Sequence, residues 1–291
     1  LVGVLQVLNK HDGVFNFGDS AVASVLASQC AVALQRTRWL EDYLTQQKRD
    51  HDLAVAREIQ QDVFPKEMPQ IEGYDIAAWN RPADETGGDV YDAVSLNESR
   101  SLLLLGDATG HGIGPALSVT QMRSMIRMAL RFDASLDDIV TNLNNQLATD
   151  LSASRFITAI VGILDGTTHR FEYHAPGQGP LLFFKHKDQT HESLSASTVP
   201  LGIVANAPLS TPEPFQFETG DFLAVMSDGF FEYSNASGEL FGEDRVMAYL
   251  KDNQSEPAET MISGLVETIQ EFAGDGVQDD DMTIFILKRN D

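Results

Sequence analysis

The sequence predicts an α+β fold arranged as an α-β-β-α sandwich, two antiparallel sheets flanked by helices, preceded by a long N-terminal helical linker. Three observations predict it. Short apolar runs rich in β-branched, aromatic and leucine residues read as strands at 74–80, 89–95, 101–106, 156–165, 169–175, 181–186, 221–227 and 282–288. These runs cluster and are joined by tight turns such as Asp165-Gly166, which favours hairpins over repeated βαβ units. Helical periodicity falls at 112–131, 135–152, 243–252 and 257–273, one pair in mid-chain and one near the end, so that each pair has a sheet face to cover.

Ahead of this region, residues 1–10 (LVGVLQVLNK) read as a strand and His11-Asp12-Gly13 as a turn. Asp19 or Ser20 offers a helix N-cap, and neither Pro nor Gly then occurs until Pro65. Leu26, Ala33 and Leu40 recur seven apart, Val22 and Gln29 share a second line, and the turns near Gln47 and Asp50 become polar. A small domain cannot bury a helix of about 45 residues, so residues 20–64 are expected to form a dimeric coiled coil or a signalling linker. Two ordinary helices with a break near Lys48–Asp52 are the alternative. The expected organisation is a terminal strand in 1–20, a helical linker in 21–64 and one large domain in 65–291. No repeat with a period of 20–50 residues is visible.

Composition narrows the function classes. A hydrophobic content of 43% supports a proper core, while a formal charge of −23 argues against binding nucleic acid or anionic membranes. No run of 18 apolar residues and no basic-then-apolar leader is present, so no membrane span is expected. The single cysteine, Cys30, cannot form an internal disulfide and reads as a small core or interface residue in a reducing, cytoplasmic setting. The chain opens on Leu1 inside a strand-like run, which reads as a fragment of something longer.

Chemistry concentrates in four Gly-punctuated carboxylates: Asp89 in Gly87-Gly88-Asp89, Asp107 in the segment Gly106 to Gly112, Asp228 in Ser227-Asp228-Gly229, and Asp280 in Asp279-Asp280-Asp281-Met282-Thr283. Each lies at the end of an apolar run. Any one of them alone is ordinary turn chemistry. Four strand ends converging in a core would be prohibitively costly without cations, and ligands that are all hard oxygens select magnesium or manganese. A carboxylate in the position of Asp107 can bridge two ions while the next carbonyl, that of Ala108, also coordinates.

Taken in order, Gly-Gly-Asp-x-Tyr-Asp (87–92), Gly-Asp-x-x-Gly-His-Gly (106–112), Ser-Asp-Gly-x-x-Glu (227–232), Phe-Gly (241–242) and Asp-Asp-x-Thr (280–283) resemble the metal-dependent PPM protein phosphatases, most closely their bacterial SpoIIE/RsbU branch. The resemblance covers about residues 55–288. The stretch from Ala56 to Pro65 is similar to that branch's entry helix, which couples an upstream sensor to the catalytic core. Residues 1–40 resemble the last strand and helix of a GAF sensor domain, with Gly3 to Lys10 as the carrier.

The resemblance implies a protein serine/threonine phosphatase that hydrolyses phosphoserine or phosphothreonine with a water activated by two or more Mn2+ or Mg2+ ions. It implies catalytic roles for Asp107 and Asp228. Asp107 would bridge both ions, Ala108 would offer its carbonyl, Asp228 and Asp280 would bind the other ion, and Asp89 would ligate directly or through water. Asp281 stands where eukaryotic relatives carry Asn and is the weaker ligand candidate. Glu232 and Asp92 would stand behind the ligands. The implied partner is a phosphorylated STAS-type anti-sigma-factor antagonist in partner switching, under control of the upstream sensor. The alternative is a catalytically silent PPM-fold signalling and dimerisation module, which the intact aspartates oppose. A diguanylate cyclase reading of Gly87-Gly88-Asp89 fails, because Val90-Tyr91 follows.

Other candidates weigh less. His111 follows Asp107 by four residues rather than the two of the eukaryotic motif, so a loop-closing role competes with that of a general acid. Arg81 reads as a solvated strand-end residue before it reads as a phosphate contact. His11, His51, His169, His174, His186 and His191 lack zinc-ligand spacing. Gly177-Gln178-Gly179 reads as a turn.

Overall fold

The computed structural model describes residues 2–152, 154–274 and 276–290. The chain divides into two compact units, Leu1–Val55 and Ala56–Asp291.

In the first unit, residues 2–10 carry no regular structure, which corrects the expected strand; Leu1 lies outside the described residues. A strand exists only through a ladder to a neighbour, and no strand in the described residues pairs with this segment. Helix α1 (Phe17–Gln61) is continuous through 45 residues, which removes the alternative of two helices broken near Lys48–Asp52. Its start is also corrected. Asn16 is the cap: its Oδ1 accepts from Asp19 N at 3.0 Å, and Asp19 Oδ2 accepts in return from Asn16 N at 2.8 Å. This reciprocal pair satisfies two of the donors that a helix start leaves open. Lys10 adds a charge contact to Asp19.

Within this unit α1 presents large apolar side chains to solvent, among them Val22, Leu26, Trp39, Leu40 and Leu44. Cys30 is exposed on it as well, not in a core. By length and composition alone α1 is able to cross a membrane, since one 18-residue window has a mean hydropathy of 1.4. That is more apolar than the sequence expectation allowed, although such a window in a single helix is weak evidence for a span.

In the second unit the strands are β1 (Tyr74–Arg81), β2 (Asp89–Ser95), β3 (Arg100–Ala108), β4 (Ile157–Asp165), β5 (Arg170–His174), β6 (Leu181–Lys185), β7 (Thr190–Leu194), β8 (Phe215–Gln216), β9 (Phe222–Met226) and β10 (Met282–Arg289). The helices are α2 (Ile113–Leu130), α3 (Leu136–Asp150), the one-turn α4 (Gly229–Glu232), α5 (Glu243–Asp252) and α6 (Ala258–Ala273). One sheet runs β1-β10-β9-β6-β7 and the other β2-β3-β4-β5-β8, with antiparallel pairing between neighbours. This is the expected sandwich; β7, β8 and α4 are additions to it.

Side-chain alternation along each strand assigns the layers. Leu103 and Leu105 of β3 meet Leu223 and Val225 of β9 and Phe285 of β10 between the sheets. The intervening Leu102 and Leu104 face Val119 and Met122 of α2 and Leu143 of α3. On the far side, Ala224, Ile284 and Ile286 pack under Met261 and Leu265 of α6. Buried on both faces, β3 and β9 read as unbroken apolar runs rather than alternating ones. Each fully buried Leu contributes about 1.5–3 kcal/mol of transfer free energy.

Helix α3 begins at Ser135, whose hydroxyl accepts from Asp138 N at 3.1 Å, with Asp137 and Asp138 placed at the positive end of its dipole. A buried carboxylate locks α2 to β2: Asp92 takes Arg127 through two bonds of 2.6 and 2.7 Å and lies 3.0 Å from Arg123 Nε. Asp92 therefore faces helix α2 and does not stand behind the proposed ligands, as the sequence reading had it.

Candidate active site

Strand alternation brings the carboxylates of β2 and β3 to one end of the cleft between the sheets. Asp89 opens β2 and lies directly opposite Asp107, near the end of β3. Both share parity with Leu103 and Leu105, so they point between the sheets. From the other sheet, Ser227 follows β9, and Asp281 and Thr283 flank the start of β10. Thr283 N donates to Ser227 Oγ at 2.9 Å, and Ser227 Oγ donates to the Asp281 carbonyl at 3.2 Å. Asn80 fixes the Thr283 hydroxyl at 2.7 Å.

Close backbone approach explains the glycines. A Cβ on Gly88 would lie 2.6 Å from the Ala108 carbonyl oxygen, and one on Gly229 would lie 2.1 Å from that of Asp281. Neither position admits a side chain without moving the backbone beside it. Ala108 N in turn donates to Gly88 O at 3.0 Å, which ties the two motifs together.

Electrostatics separates the acids into an inner and an outer set. Asp89 is 1% exposed, and its Oδ2 has no hydrogen-bond partner. Burial pushes its carboxyl well above the usual range, and the charge of Asp107 adds to that; the nearby hydroxyls of Thr283 and Ser227 offset part of the shift. Asp107 is pushed up to about 7, first by burial and then by the charges of Asp228, Asp280 and Asp281. Asp228 is raised by partial desolvation and by the nearby charges of Asp280 and Glu232. Asp228 and Asp280 are exposed at the rim.

The structure thus brings Asp89, Asp107 and the Ala108 carbonyl together and keeps Asp228 and Asp280 within electrostatic reach. Among the described residues no three acidic, imidazole or thiolate groups close into a ready-made ion cage. Even so, the donors suit a divalent cation. They are all oxygens, one of them is a buried carboxylate oxygen left unpaired, and their shifts report mutual repulsion that a cation would relieve.

Asp281 has a different task. Its carboxylate accepts from Ala83 N at 2.7 Å and from the N–H groups of Gly88 and Asp89, so it clamps the loop that delivers Asp89. His111 Nδ1 lies 2.9 Å from Asp84 Oδ2, joining the loop before Asp89 to the loop after Asp107, a geometry that suits loop closure. Arg81 is half-buried and partnered: Nε donates to Gln278 Oε1 at 2.6 Å, and the guanidinium lies 5.7 Å from the Trp79 ring centroid.

Sequence reasoning overlooked Gln60. Although near the end of α1, it is 8% exposed; its Nε2 donates to Gly87 O at 2.6 Å and its Oε1 accepts from Gly87 N at 3.1 Å. The only sequence signal was a polar residue inside the segment that resembles an entry helix.

The family model described as "Stage II sporulation protein E (SpoIIE)" matches residues 97–290. The chain belongs to the SpoIIE family. It carries that family's PP2C-type protein phosphatase domain. Among curated relatives, the phosphoserine phosphatase RsbU of Bacillus subtilis is 26% identical over 84% of this chain and 72% of its own length. Protein IcfG of Synechocystis is 27% identical over 82% of the chain, which spans only 42% of that protein. The SiaA-PP2C domain of Pseudomonas aeruginosa superposes with a TM-score of 0.72 at 21% identity, covering 84% of this chain and 98% of that one. SpoIIE-family membership and this superposition agree on the two-sheet sandwich.

Proposed function

We propose that this SpoIIE-family chain hydrolyses phosphoserine or phosphothreonine on a protein, using two Mn2+ or Mg2+ ions held by Asp89, Asp107, the Ala108 carbonyl, Asp228 and Asp280. The buried Asp89–Asp107 pair carries this reading: two carboxyls that repel each other, one with an oxygen lacking any partner, need a cation to ionise together. When bound, the ions supply the Lewis acidity that activates water and offsets phosphoryl charge. With its pKa pushed up to about 7, Asp107 is only partly ionised near neutral pH unless a cation faces it. Asp281 orients Asp89 by holding its loop, and the Ser227 and Thr283 side chains reach Asp89 from the other sheet.

Similarity to proteins named phosphoserine phosphatase RsbU and RsbP supports the substrate class, and a structural neighbour, RsbX, was solved with magnesium. We further assign the substrate to a STAS-type anti-sigma-factor antagonist in a cytoplasmic partner-switching pathway. Residues 1–20 are read as the end of a GAF-like sensor and 21–64 as a linker that dimerises through its exposed apolar stripe. The test is hydrolysis of p-nitrophenyl phosphate and of a phosphoseryl protein, with metal binding followed by calorimetry. Manganese is expected to support turnover, a chelator to stop it, and Asp228→Asn to abolish it while weakening metal binding. Full activity of Asp228→Asn, or indifference to the chelator, would overturn the two-metal reading.

A further inference from the structure

The rim of the cleft on the α2 side holds features that hydrolysis alone does not require. Arg155 lies just before β4, in which Thr158 stands opposite Asp107 and Ile157 opposite Ala108. The Phe156 carbonyl accepts from Thr109 N at 3.1 Å, so Arg155 flanks the loop that leaves Asp107. Its guanidinium is packed on the first turn of α2, where a Cβ on Gly114 would lie 2.6 Å from its Nη2. The residue is exposed, and its side chain has no hydrogen-bond or ion-pair partner among the described residues. A free guanidinium beside an acidic cleft, in a chain of charge −23, is placed where an incoming anion meets it.

Apolar side chains stand exposed on the same turns of α2 and on the 201–204 segment. Ile113 and Leu117 share one face of α2 and are 41% and 64% exposed. Across the rim, Ile203 and Val204 are 48% and 53% exposed. The two groups are linked through the end of α3: Gln121 donates to Asp150 Oδ2 at 2.5 Å, and a Cβ on Gly202 would lie 3.0 Å from Leu151 Cδ1. The 201–204 segment is also held by its backbone. Leu201 and Ile157 exchange bonds of 3.0 and 2.8 Å, and Asn144 accepts from Gly202 N at 3.1 Å and donates to Val204 O at 2.9 Å. These bonds hold apolar side chains out in water on a preformed support. Scattered exposed apolar residues are ordinary, but a fixed cluster continuous with a catalytic cleft marks a contact surface.

We infer that this rim is the docking surface for the phosphoprotein substrate: Leu117 and Ile203 seat an apolar patch that borders the phosphoserine, and Arg155 takes the phosphoryl group as it enters the cleft. The inference rests on the phosphatase reading and adds to it the kind of face the partner presents. A small phosphoester uses Arg155 but not the apolar collar. A phosphoserine dianion carries about −1.5 to −2 charges at neutral pH, which matches a free guanidinium.

The experiment compares p-nitrophenyl phosphate with a STAS-type antagonist phosphorylated on serine, for the full chain and for Leu117→Ser, Ile203→Ser and Arg155→Ala. Melting temperatures and sedimentation are measured alongside. The serine variants are expected to raise KM for the phosphoprotein at least tenfold with unchanged kinetics on the small ester. Arg155→Ala is expected to raise KM for both esters while leaving kcat within about twofold. Equal kinetics for parent and serine variants on the phosphoprotein would overturn the docking surface, as would an equal loss on both esters. A change from dimer to monomer in Leu117→Ser with unchanged KM would instead assign the face to a second copy of the chain, and also overturns it. Failure of the parent to hydrolyse either ester sinks the phosphatase reading itself, a result separate from any of these.

Discussion

Gln60 pairs with both backbone groups of Gly87, donating to its carbonyl at 2.6 Å and accepting from its N–H at 3.1 Å. Two residues after Gly87 stands Asp89, so the last turn of α1 and the strand that carries this carboxylate share one hydrogen-bonded contact. Gln60→Leu leaves both Gly87 groups buried and unpaired, at a cost of about 1–3 kcal/mol for each. The expected result is a lower denaturation midpoint together with a weaker manganese affinity by calorimetry. Loss of stability with metal affinity intact would mean that the contact only holds the helix.

Asp107 gives a pH dependence whose sign is fixed. Its folded pKa of about 7 lies above the ordinary carboxylate value of 3.8, so the folded state binds the proton more tightly. The metal-free protein is therefore most stable below about pH 4 with respect to this group, and loses that contribution as pH rises through about 7. Divalent ions compete with the proton, so manganese affinity should climb over the same interval. Thermal melts at pH 5 and pH 8, with chelator and with manganese, read both effects. Metal-free stability rising between those pH values would contradict the assignment.

Asp107→Asn removes the repelled charge but keeps the shape. Without metal at pH 8 it is expected to be more stable than the parent by up to about 4 kcal/mol, and to gain nothing from added manganese. Guanidinium titrations with and without the ion measure this. A variant less stable than its parent under chelation would show that the pair is not strained by its own charge.

Asp92 is nearly fully buried, between Arg127 and Arg123. Asp92→Asn leaves two guanidiniums against a neutral group; breaking a fully buried pair costs about 3–5 kcal/mol, and the solvent access of Arg127 brings the expected cost below that. A double variant with Arg127→Met should recover part of the loss, which a double-mutant cycle by urea denaturation quantifies.

Gly88→Ala is expected to destroy manganese binding, since its Cβ would overlap the Ala108 carbonyl oxygen at 2.6 Å. Calorimetry on the folded variant checks this, with circular dichroism to establish folding.

The sandwich was legible because its central strands are buried on both faces and its helices keep a 3.6-residue period. Leu102 to Leu105 and Phe222 to Met226 could hardly be anything else. Strand β7 was missed because Thr190 to Leu194 is mostly exposed and polar, and β8 because two residues make no pattern. The 1–10 segment has strand composition but no partner, and composition does not carry pairing. The order of aspartates pointed to the strand ends where Asp89 meets Asp107, whereas the separate tasks of Asp281 and Asp92 depend on which way each side chain points. Gln60 stayed hidden because a buried glutamine on a mostly exposed helix has no sequence signature.

Strand β1 lies beside β10, with Tyr74 opposite Arg289, and Asn80 bonds Thr283 across 203 positions of chain. During synthesis the first strand of this sheet must therefore wait for the last to leave the ribosome, with β9 lacking its central neighbour in the meantime. Closing so long a loop costs chain entropy before the pairing rewards it. It also means that Asp280 and Asp281 arrive only as the sheet is completed, so a nascent or C-terminally clipped chain has neither a finished fold nor a finished site.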